Sequence, residues 1–403
     1  MSISTKPPPE ARAALADAAA QRLKGQRVSA VDTPALVVDL DTMDRNLHRM
    51  AAFAKKHDLR WRPHAKLHKS VQLAKLQVQA GAIGVCVQKT SEAEALAFGG
   101  VRDIFISNEV VAHNKLARVA ALAHSLAAGG GRLAIAVDST AGVLGLAEAM
   151  AKVQEPAQSV PIDVFIEIDV GQGRCGVAPG AAALELVHEI ERHRTLVFAG
   201  LQAYHGNAQH LRSVQQRRDA IAQVVESVVR TRQAIEAQGI PVGLVTGAGT
   251  GTFALEAASG VYGELQPGSF LFMDADYAQN EQDPAQPQFE QALFVKTQVI
   301  SVAADHAVCD AGHKSHAIDS GLPLVHTLSG EPALRYSNGG DEHGILHAAP
   351  GSRLPALGQT LWLIPGHCDP TVNLHDRMIG VRGGLAHGKV ERIIRVDARG
   401  AVT

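Results

Sequence analysis

The sequence predicts an α/β fold, a (β/α)8 barrel followed by a mostly antiparallel β domain. Three observations carry this. Short apolar runs alternate with stretches of helical spacing about eight times between residues 34 and 285. Polar residues and glycines gather just after nearly every apolar run. Beyond about residue 285 the rhythm changes to short alternating strands separated by Gly, Pro and Asp turns. Strands alternating with helices imply a parallel sheet, and about eight units suggest a closed barrel. An open doubly wound sheet has the same periodicity. It concentrates its functional groups at one switch point, whereas here they follow almost every run.

Residues 1–33 read as an N-terminal arm, alanine-rich and broken by charges, either loose or shortly helical. ALVVDL (35–40) opens the rhythm as a buried-strand run. DTMDRNLHRMAAFAKKHD follows, with Leu47, Met50, Ala51 and Phe53 at helical spacing. LRWRPHA and the amphipathic VQLAKLQVQAG come next, then IGVCVQ (83–88) and the helical SEAEALAFGG. RDIFISN, RLAIAVDS, IDVFIEIDV and LVFAGLQAYHG each lead into a helix. IPVGLVTGAGTG and GELQPGSFLFMDADY complete the series, so residues 34–285 are assigned to the barrel. Residues 286–403 are assigned to the β domain, on ALFVKTQVISVAADHAVCDAG, RLPALGQTLWLIPG and RMIGVRGGLAHGKVERIIRVDARG. GGLAHGK within the last of these marks a hairpin.

Composition narrows the function. A chain of 403 residues has room for a large barrel and a second module. The net charge of −2 gives no basic field, so neither nucleic acid nor an anionic membrane is an expected partner. Aromatics at 4 % argue against a base-stacking platform. No run of about 18 apolar residues is present to span a membrane. The N-terminal stretch lacks the apolar core of a secretory signal, and Glu10 and Asp17 count against a transit peptide despite Arg12 and Arg22. Cys86, Cys175, Cys309 and Cys368 are scattered without CxxC spacing, which argues against a disulfide framework or a structural zinc knot. A reducing cytoplasm is the expected location. The 19 histidines, several beside Asp or Glu, hint at a metal or proton-transfer site.

Three stretches carry chemistry. RPHAKLHKS (62–70) holds two lysines and two histidines. If it is extended, His64, Lys66 and His68 share one face and Lys69 points elsewhere or starts the next helix. Pro63 biases Arg62 towards an extended conformation. A lysine on the inward face of a barrel strand is desolvated, and the lowered pKa makes it a nucleophile for a carbonyl. A solvated basic turn would have the same letters. VTGAGTGTF (245–253) frees backbone N–H groups to cradle a phosphate, with Thr250 or Thr252 adding a hydroxyl. Its spacing and late position do not fit a dinucleotide fingerprint; a tight turn is the alternative. Gly268 and Ser269 in QPGSF offer further donors. LIPGHCDPT (363–371) contains an HxD pair. Extended, it puts His367 and Asp369 on one face, where they suit a divalent cation at an open site; a hydrogen-bonded surface pair is the alternative. NGGDEHG (338–344) adds Asp341, Glu342 and His343 as supporting groups or general bases, or as a solvated acidic turn.

Taken jointly, the pattern resembles the fold-type III pyridoxal-phosphate enzymes of alanine racemase architecture, and within them the D-threonine aldolase and D-3-hydroxyaspartate aldolase branch. The matching stretches include VDTPALVVDLD, RPHAKLHKS, VCVQKTSEAEA, ISNEVV, EIDVGQGRCGV, GLQAYHG, GAGTGT, ELQPGSFLFMDADY, LFVKTQVIS, DAGHKS, DEHG and PGHCDPTVNLHD, from about residue 31 to 400. The resemblance implies that Lys66 is the Schiff-base lysine for pyridoxal 5'-phosphate. It implies that Thr250, Gly268, Ser269 and Tyr277 hold the phosphate, and that Gln88, Arg174 and Tyr204 surround the ring or its hydroxyl. His367 and Asp369 would bind a divalent metal cation of the Mn, Mg, Co or Zn class, with His210 and Asp341 in proton transfer. Related D-serine dehydratases carry a Cys two residues after the metal histidine; Asp369 in that place favours aldol cleavage over dehydration. The loop reads GAGTG where GGGTG is commoner, so Ala248 is expected only to perturb the turn.

The activity implied is metal-dependent cleavage of the Cα–Cβ bond of a D-β-hydroxy-α-amino acid to glycine and an aldehyde. Cleavage of D-3-hydroxyaspartate to glycine and glyoxylate, or dehydration on the same scaffold, are the alternatives. Outside this branch stand a racemase and a non-catalytic cofactor carrier, neither of which needs the HxD pair. The architecture further implies a homodimer, in which the β domain of one chain closes the barrel mouth of the other and His367 and Asp369 act in trans.

Overall fold

The computed structural model describes residues 17–153, 160–328 and 333–403. The first sixteen residues, which include Glu10 and Arg12, lie outside them. The chain divides into two units, one of residues 46–289 with 397–403 and one of residues 1–45 with 290–396. Among the described residues no helix is long and apolar enough to cross a membrane.

The first unit is built on eight parallel strands: Arg60–Trp61, Val85–Val87, Asp103–Ile106, Arg132–Val137, Ile162–Glu167, Leu196–Ala203, Val245–Gly247 and Glu264–Leu265. From Val85–Val87 onward each strand pairs with the next in sequence. Glu264–Leu265 then pairs with Arg60–Trp61, and a parallel bridge from His64 to Cys86 joins the two ends of the sheet. The predicted barrel is thus present, with its seam at the RPHAK stretch.

Strand parity explains the filling. Val85, Val87, Ile104, Ile106, Ile135, Val137, Val164 and Ile166 pack with the apolar stripes of the surrounding helices. The alternate residues Cys86, Phe105, Ala134, Ala136 and Phe165 form a separate cluster, with the Phe105 and Phe165 rings 4.8 Å apart. On the remaining strands the alternate positions are polar. Gln266 donates to Gln202 (2.8 Å) and Thr246 (2.7 Å), and Thr246 donates to Glu264 (2.8 Å). The longest helix, Val214–Glu236, starts at a capping box. The Ser213 hydroxyl accepts from the Gln216 N–H (3.1 Å), and the Gln216 side chain accepts from the Ser213 N–H (3.3 Å). Ile221, Val224, Val228 and Ile235 form its buried stripe.

The second unit is a mostly antiparallel sheet. Its spine is Leu293–Val302, paired with Ala35–Asp39, Ala307–Cys309 and Thr360–Ile364. Arg377–Arg382 and Lys389–Arg395 form the hairpin expected at GGLAHGK, with one helical turn, Gly384–His387, between them. Leu334–Asn338 and Gly344–Ala348 form another, with NGGDEHG at its tip.

Two boundaries differ from the sequence reading. Ala35–Asp39, read as the opening barrel strand, lies in the second sheet, antiparallel to Leu293–Val302 and parallel to Arg377–Arg382. Its centre, Leu36 to Val38, is fully buried. An apolar run followed by a helix reads the same in either sheet, because a strand covered on both faces shows no alternation. The expected limits of 34–285 and 286–403 therefore shift to the discontinuous units above. The arm is also held more firmly than expected. Gly25 donates to the Val390 carbonyl (2.8 Å), Val390 to that of Gln26 (2.9 Å), and Asp17 faces Arg377 and Arg395.

Candidate active site

The candidate residues of the barrel unit all lie at or beyond the C-terminal ends of its strands. Lys66 follows Arg60–Trp61, Gln88 follows Val85–Val87, and Arg174 lies in the loop after Ile162–Glu167. Tyr204 follows Leu196–Ala203, Thr250 follows Val245–Gly247, and Gly268 and Ser269 follow Glu264–Leu265. This is the face on which barrel enzymes assemble their chemistry.

At the lysine turn the structure corrects the parity argument. The chain is extended only as far as His64 and then closes one 3-10 turn, Ala65–Leu67. His64, Lys66 and His68 therefore do not share a strand face. Their roles separate all the same. His68 is fully buried; its Nδ1 accepts from the Ser70 N–H (3.0 Å) and its Nε2 donates to Gln77 Oε1 (3.1 Å). It is a neutral packing histidine. Lys69, expected at the surface or at a helix start, is buried with φ +49° and pairs with buried Glu92 at 3.2 Å. Its Nζ also donates to the Ala401 carbonyl (3.4 Å). Lys66 is the half-buried lysine of the two. His64 ties its turn to the neighbouring strands. Nδ1 accepts from the Lys66 N–H (3.4 Å), and Nε2 lies 3.2 Å from Ser107 Oγ and 3.0 Å from the Gln88 amide nitrogen. The backbone of His64 also abuts Gly268, where an added Cβ would stand 3.0 Å from the His64 carbonyl oxygen.

The glycine loop is braced by Gln209, which the sequence did not single out. Gln209 Oε1 accepts from the Gly251 N–H (2.8 Å), and its amide donates to Thr252 Oγ1 (2.8 Å), which in turn donates to buried Glu256 (2.7 Å). Thr250 Oγ1 accepts from the Phe270 N–H (3.0 Å), so the loop and the QPGSF turn form one surface. Among the described residues the N–H groups of Thr250, Gly268 and Ser269 donate to no protein acceptor. Tyr277 lines a cavity together with Thr250, Gly251 and Met273. Ala248 takes φ +68° at a fully buried position. An L-residue there costs on the order of 1 kcal/mol, so the departure from glycine strains the turn locally.

A tight backbone approach makes one position testable. A Cβ at Gly251 would stand 2.7 Å from the Gln209 carbonyl oxygen, a backbone atom that cannot swing aside. Gly251→Ala is expected to destabilise the protein by about 1–3 kcal/mol and to weaken binding of the pyridoxal phosphate that the resemblance implies. Thermal unfolding and titration with the cofactor check this; an unchanged melting temperature with unchanged affinity would show that the loop has slack.

Beyond the loop, His210 Nδ1 donates to Asp276 Oδ2 at 2.5 Å, and Arg212 pairs with the other oxygen of the same carboxylate. The His210 and Tyr277 rings are 5.5 Å apart. With Nδ1 held by a carboxylate, Nε2 carries the lone pair, the arrangement of a general base. The sequence pointed to His210 but not to Asp276. Asp341, expected beside His210 in proton transfer, belongs to the other unit. It is exposed on its hairpin and pairs with Lys314 (3.2 Å) and His313 (2.8 Å); Lys314, and then His313, hold its carboxyl below the usual range.

Four further groups were not singled out. Glu109, Asp138 and Cys175 bring one ligand atom each within 4.8 Å of one another, the only such group among the described residues. Glu167 lies at the end of its strand, 5 % exposed. Burial, and then Glu109, push its carboxyl well above the usual range, while Arg174 opposes them. Burial, and then Glu109, also raise the Cys175 thiol, to about 11.

In the second unit the HxD pair is not extended. His367 is the N-cap of a short helix, Cys368–Asn373, and Asp369 sits in its first turn. The two side chains converge nevertheless, with His367 Nε2 4.0 Å from Asp369 Oδ1. An imidazole nitrogen and a carboxylate oxygen are donors a divalent ion takes, so the converging pair is a candidate cation site. On the far side of the ring His367 Nδ1 meets Asp319 Oδ2 at 2.7 Å. Burial opposes the Asp319 charge, yet the bonds from His367 and Ser320 hold its carboxyl below the usual range.

Residues 38–276 match the alanine racemase N-terminal domain model, and residues 292–381 match a putative serine dehydratase domain. The D-threonine aldolase of an Arthrobacter species is 43 % identical over 93 % of this chain and 95 % of that protein. The 3-hydroxy-D-aspartate aldolase of Paracoccus denitrificans (strain Pd 1222) is 41 % identical over 94 % of this chain and 95 % of its own length. The crystal structure of D-threonine aldolase from Filomicrobium marinum superposes with a TM-score of 0.87 at 43 % identity, covering 94 % of this chain and 99 % of that one.

Proposed function

Because this chain belongs to the alanine racemase-like family that contains the D-threonine and 3-hydroxy-D-aspartate aldolases, we propose that it is an aldehyde-lyase of D-β-hydroxy-α-amino acids. It cleaves the Cα–Cβ bond, giving glycine and an aldehyde. The observation that carries the reading is the gathering of Lys66, Gln88, Thr250, Gly268 and Ser269 on one barrel face, in a chain that matches these aldolases over nearly its whole length.

The cofactor of this reading is pyridoxal 5'-phosphate, which when bound supplies the sink for the electron pair released as Cα–Cβ breaks. Lys66 offers the amine that holds it covalently. Thr250, Gly268 and Ser269 offer backbone N–H groups, with the Tyr277 ring alongside, to bind the phosphate. Gln88 and Tyr204 would lie beside the ring. Arg174, which acts on the Glu167 carboxyl, would serve the ring's hydroxyl. His367 and Asp369 would hold a divalent cation, which would supply Lewis-acid stabilisation of the β-hydroxyl oxygen. His210, kept by Asp276 in the tautomer with a free Nε2, accepts the hydroxyl proton. Asp341, tied to His313 and Lys314, is left a supporting part in proton transfer. The homodimer is carried by the sequence resemblance, and the cytoplasmic location by the scattered cysteines.

The products decide between this reading and its rival. With D-threonine or D-3-hydroxyaspartate, glycine plus acetaldehyde or glyoxylate is expected. Ammonia plus a 2-oxo acid would instead identify a dehydratase. Comparing kcat/KM for the two substrates then shows which aldehyde half the site prefers.

A further inference from the structure

We infer that Asp319 is the positioning residue of the cation site: it fixes the tautomer and ring orientation of His367 so that Nε2, rather than Nδ1, is offered to the metal. The inference rests on the proposed role of His367 and Asp369 as cation ligands.

A neutral imidazole has one N–H and one lone pair, and the group bound at one nitrogen decides where the lone pair lies. An ionised carboxylate can only accept. At 2.7 Å Asp319 Oδ2 therefore takes a hydrogen bond from His367 Nδ1–H. Ser320 Oγ donates to the same Oδ2 (3.1 Å) and lies 3.4 Å from Nδ1, so it closes that side of the ring. The lone pair is left on Nε2, and this is the atom that faces Asp369 Oδ1 across 4.0 Å.

The backbone holds the two segments in register. A Cβ at Gly366 would stand 2.2 Å from the Gly321 carbonyl oxygen, so only glycine permits this approach. Thr371 Oγ1 donates to the His367 carbonyl (2.7 Å) and accepts from the Ala317 N–H (3.0 Å), which links both sides of the site. The Asp319 side chain is 50 % exposed. An ion pair that open adds little to stability, so its geometry has more bearing on the ring than on the fold. A carboxylate behind a ligating histidine also raises the basicity of the ligating nitrogen.

The test uses the full-length enzyme, stripped of metal with a chelator and titrated with Mn2+, with free Mn2+ read by electron paramagnetic resonance. Asp319→Ala is expected to weaken Mn2+ binding about 10- to 100-fold. Asp319→Asn, which still accepts a hydrogen bond but has lost the charge, should lose less. His367→Ala should lose the site. The melting temperature of metal-free Asp319→Ala should stay within about 2 °C of the parent, and half-maximal activity should need correspondingly more Mn2+.

Parental Mn2+ affinity in Asp319→Ala, with affinity lost in His367→Ala, would overturn the positioning role and leave the cation site standing. Unchanged affinity in His367→Ala would overturn the cation site and this inference with it. Should Asp319→Ala not fold, Asp319→Leu, which also removes the acceptor, carries the test, and parental affinity in that variant overturns the inference.

Discussion

Lys66→Ala is expected to abolish the visible absorbance of lysine-bound cofactor and its trapping by borohydride, with a loss of activity of about a thousandfold or more. Lys69→Ala is expected to do the opposite. It should retain the borohydride adduct but lose about 3 kcal/mol of stability, because Glu92 is left buried without its cationic partner. The pair of variants separates chemistry from architecture within four residues of sequence. A reducible adduct that persists in Lys66→Ala would overturn the assignment of the covalent lysine. Loss of the adduct in a folded Lys69→Ala would move that assignment to Lys69.

The second large effect falls on His367 and Asp369, the proposed cation ligands. His367→Ala or Asp369→Ala is expected to reduce kcat on the order of a thousandfold, the scale of several kcal/mol of charge stabilisation. Chelation should inactivate the parent enzyme and Mn2+ should restore it, whereas neither treatment should change the variants. Cofactor absorbance should be the same in all of them, since Lys66 and the glycine loop lie in the other unit. Full turnover by a chelated parent enzyme would remove the metal from the reaction.

The two lysines also show what a sequence can and cannot convey. Lys66 was singled out because PHAK, a late glycine loop and an HxD pair occur on one chain. The physical reason first given for it, strand parity, does not hold: the strand ends at His64 and a 3-10 turn presents the lysine. His367 and Asp369 were likewise read as a pair on an extended segment, yet they meet across the first turn of a helix. In each case the residue types were informative and the local conformation was not, since short segments take their shape from tertiary packing.

What the sequence could not show are the partners in space. Asp276 is 66 residues from His210, and Asp319 is 48 residues from His367. Gln209 braces a loop 42 residues away. Nothing in the composition of MDADY or HAIDSG separates these carboxylates from solvated ones. The placement of Ala35–Asp39 was illegible for a related reason, because pairing partners are chosen by the sheet rather than by the strand.

The last seven residues, Asp397–Thr403, return to the barrel unit. There the Asp397 carboxylate accepts from the Val71 N–H (2.8 Å), Ala398 donates to the Lys69 carbonyl (3.0 Å), and Thr403 bonds to Ser91. The turn that carries Lys66 is therefore braced by a segment more than three hundred residues further along the chain. A ribosome that has completed the glycine loop must still make over a hundred residues before that brace emerges. Neither unit is encoded by one uninterrupted stretch, so a protease cut or gene split near residue 290 yields no complete half.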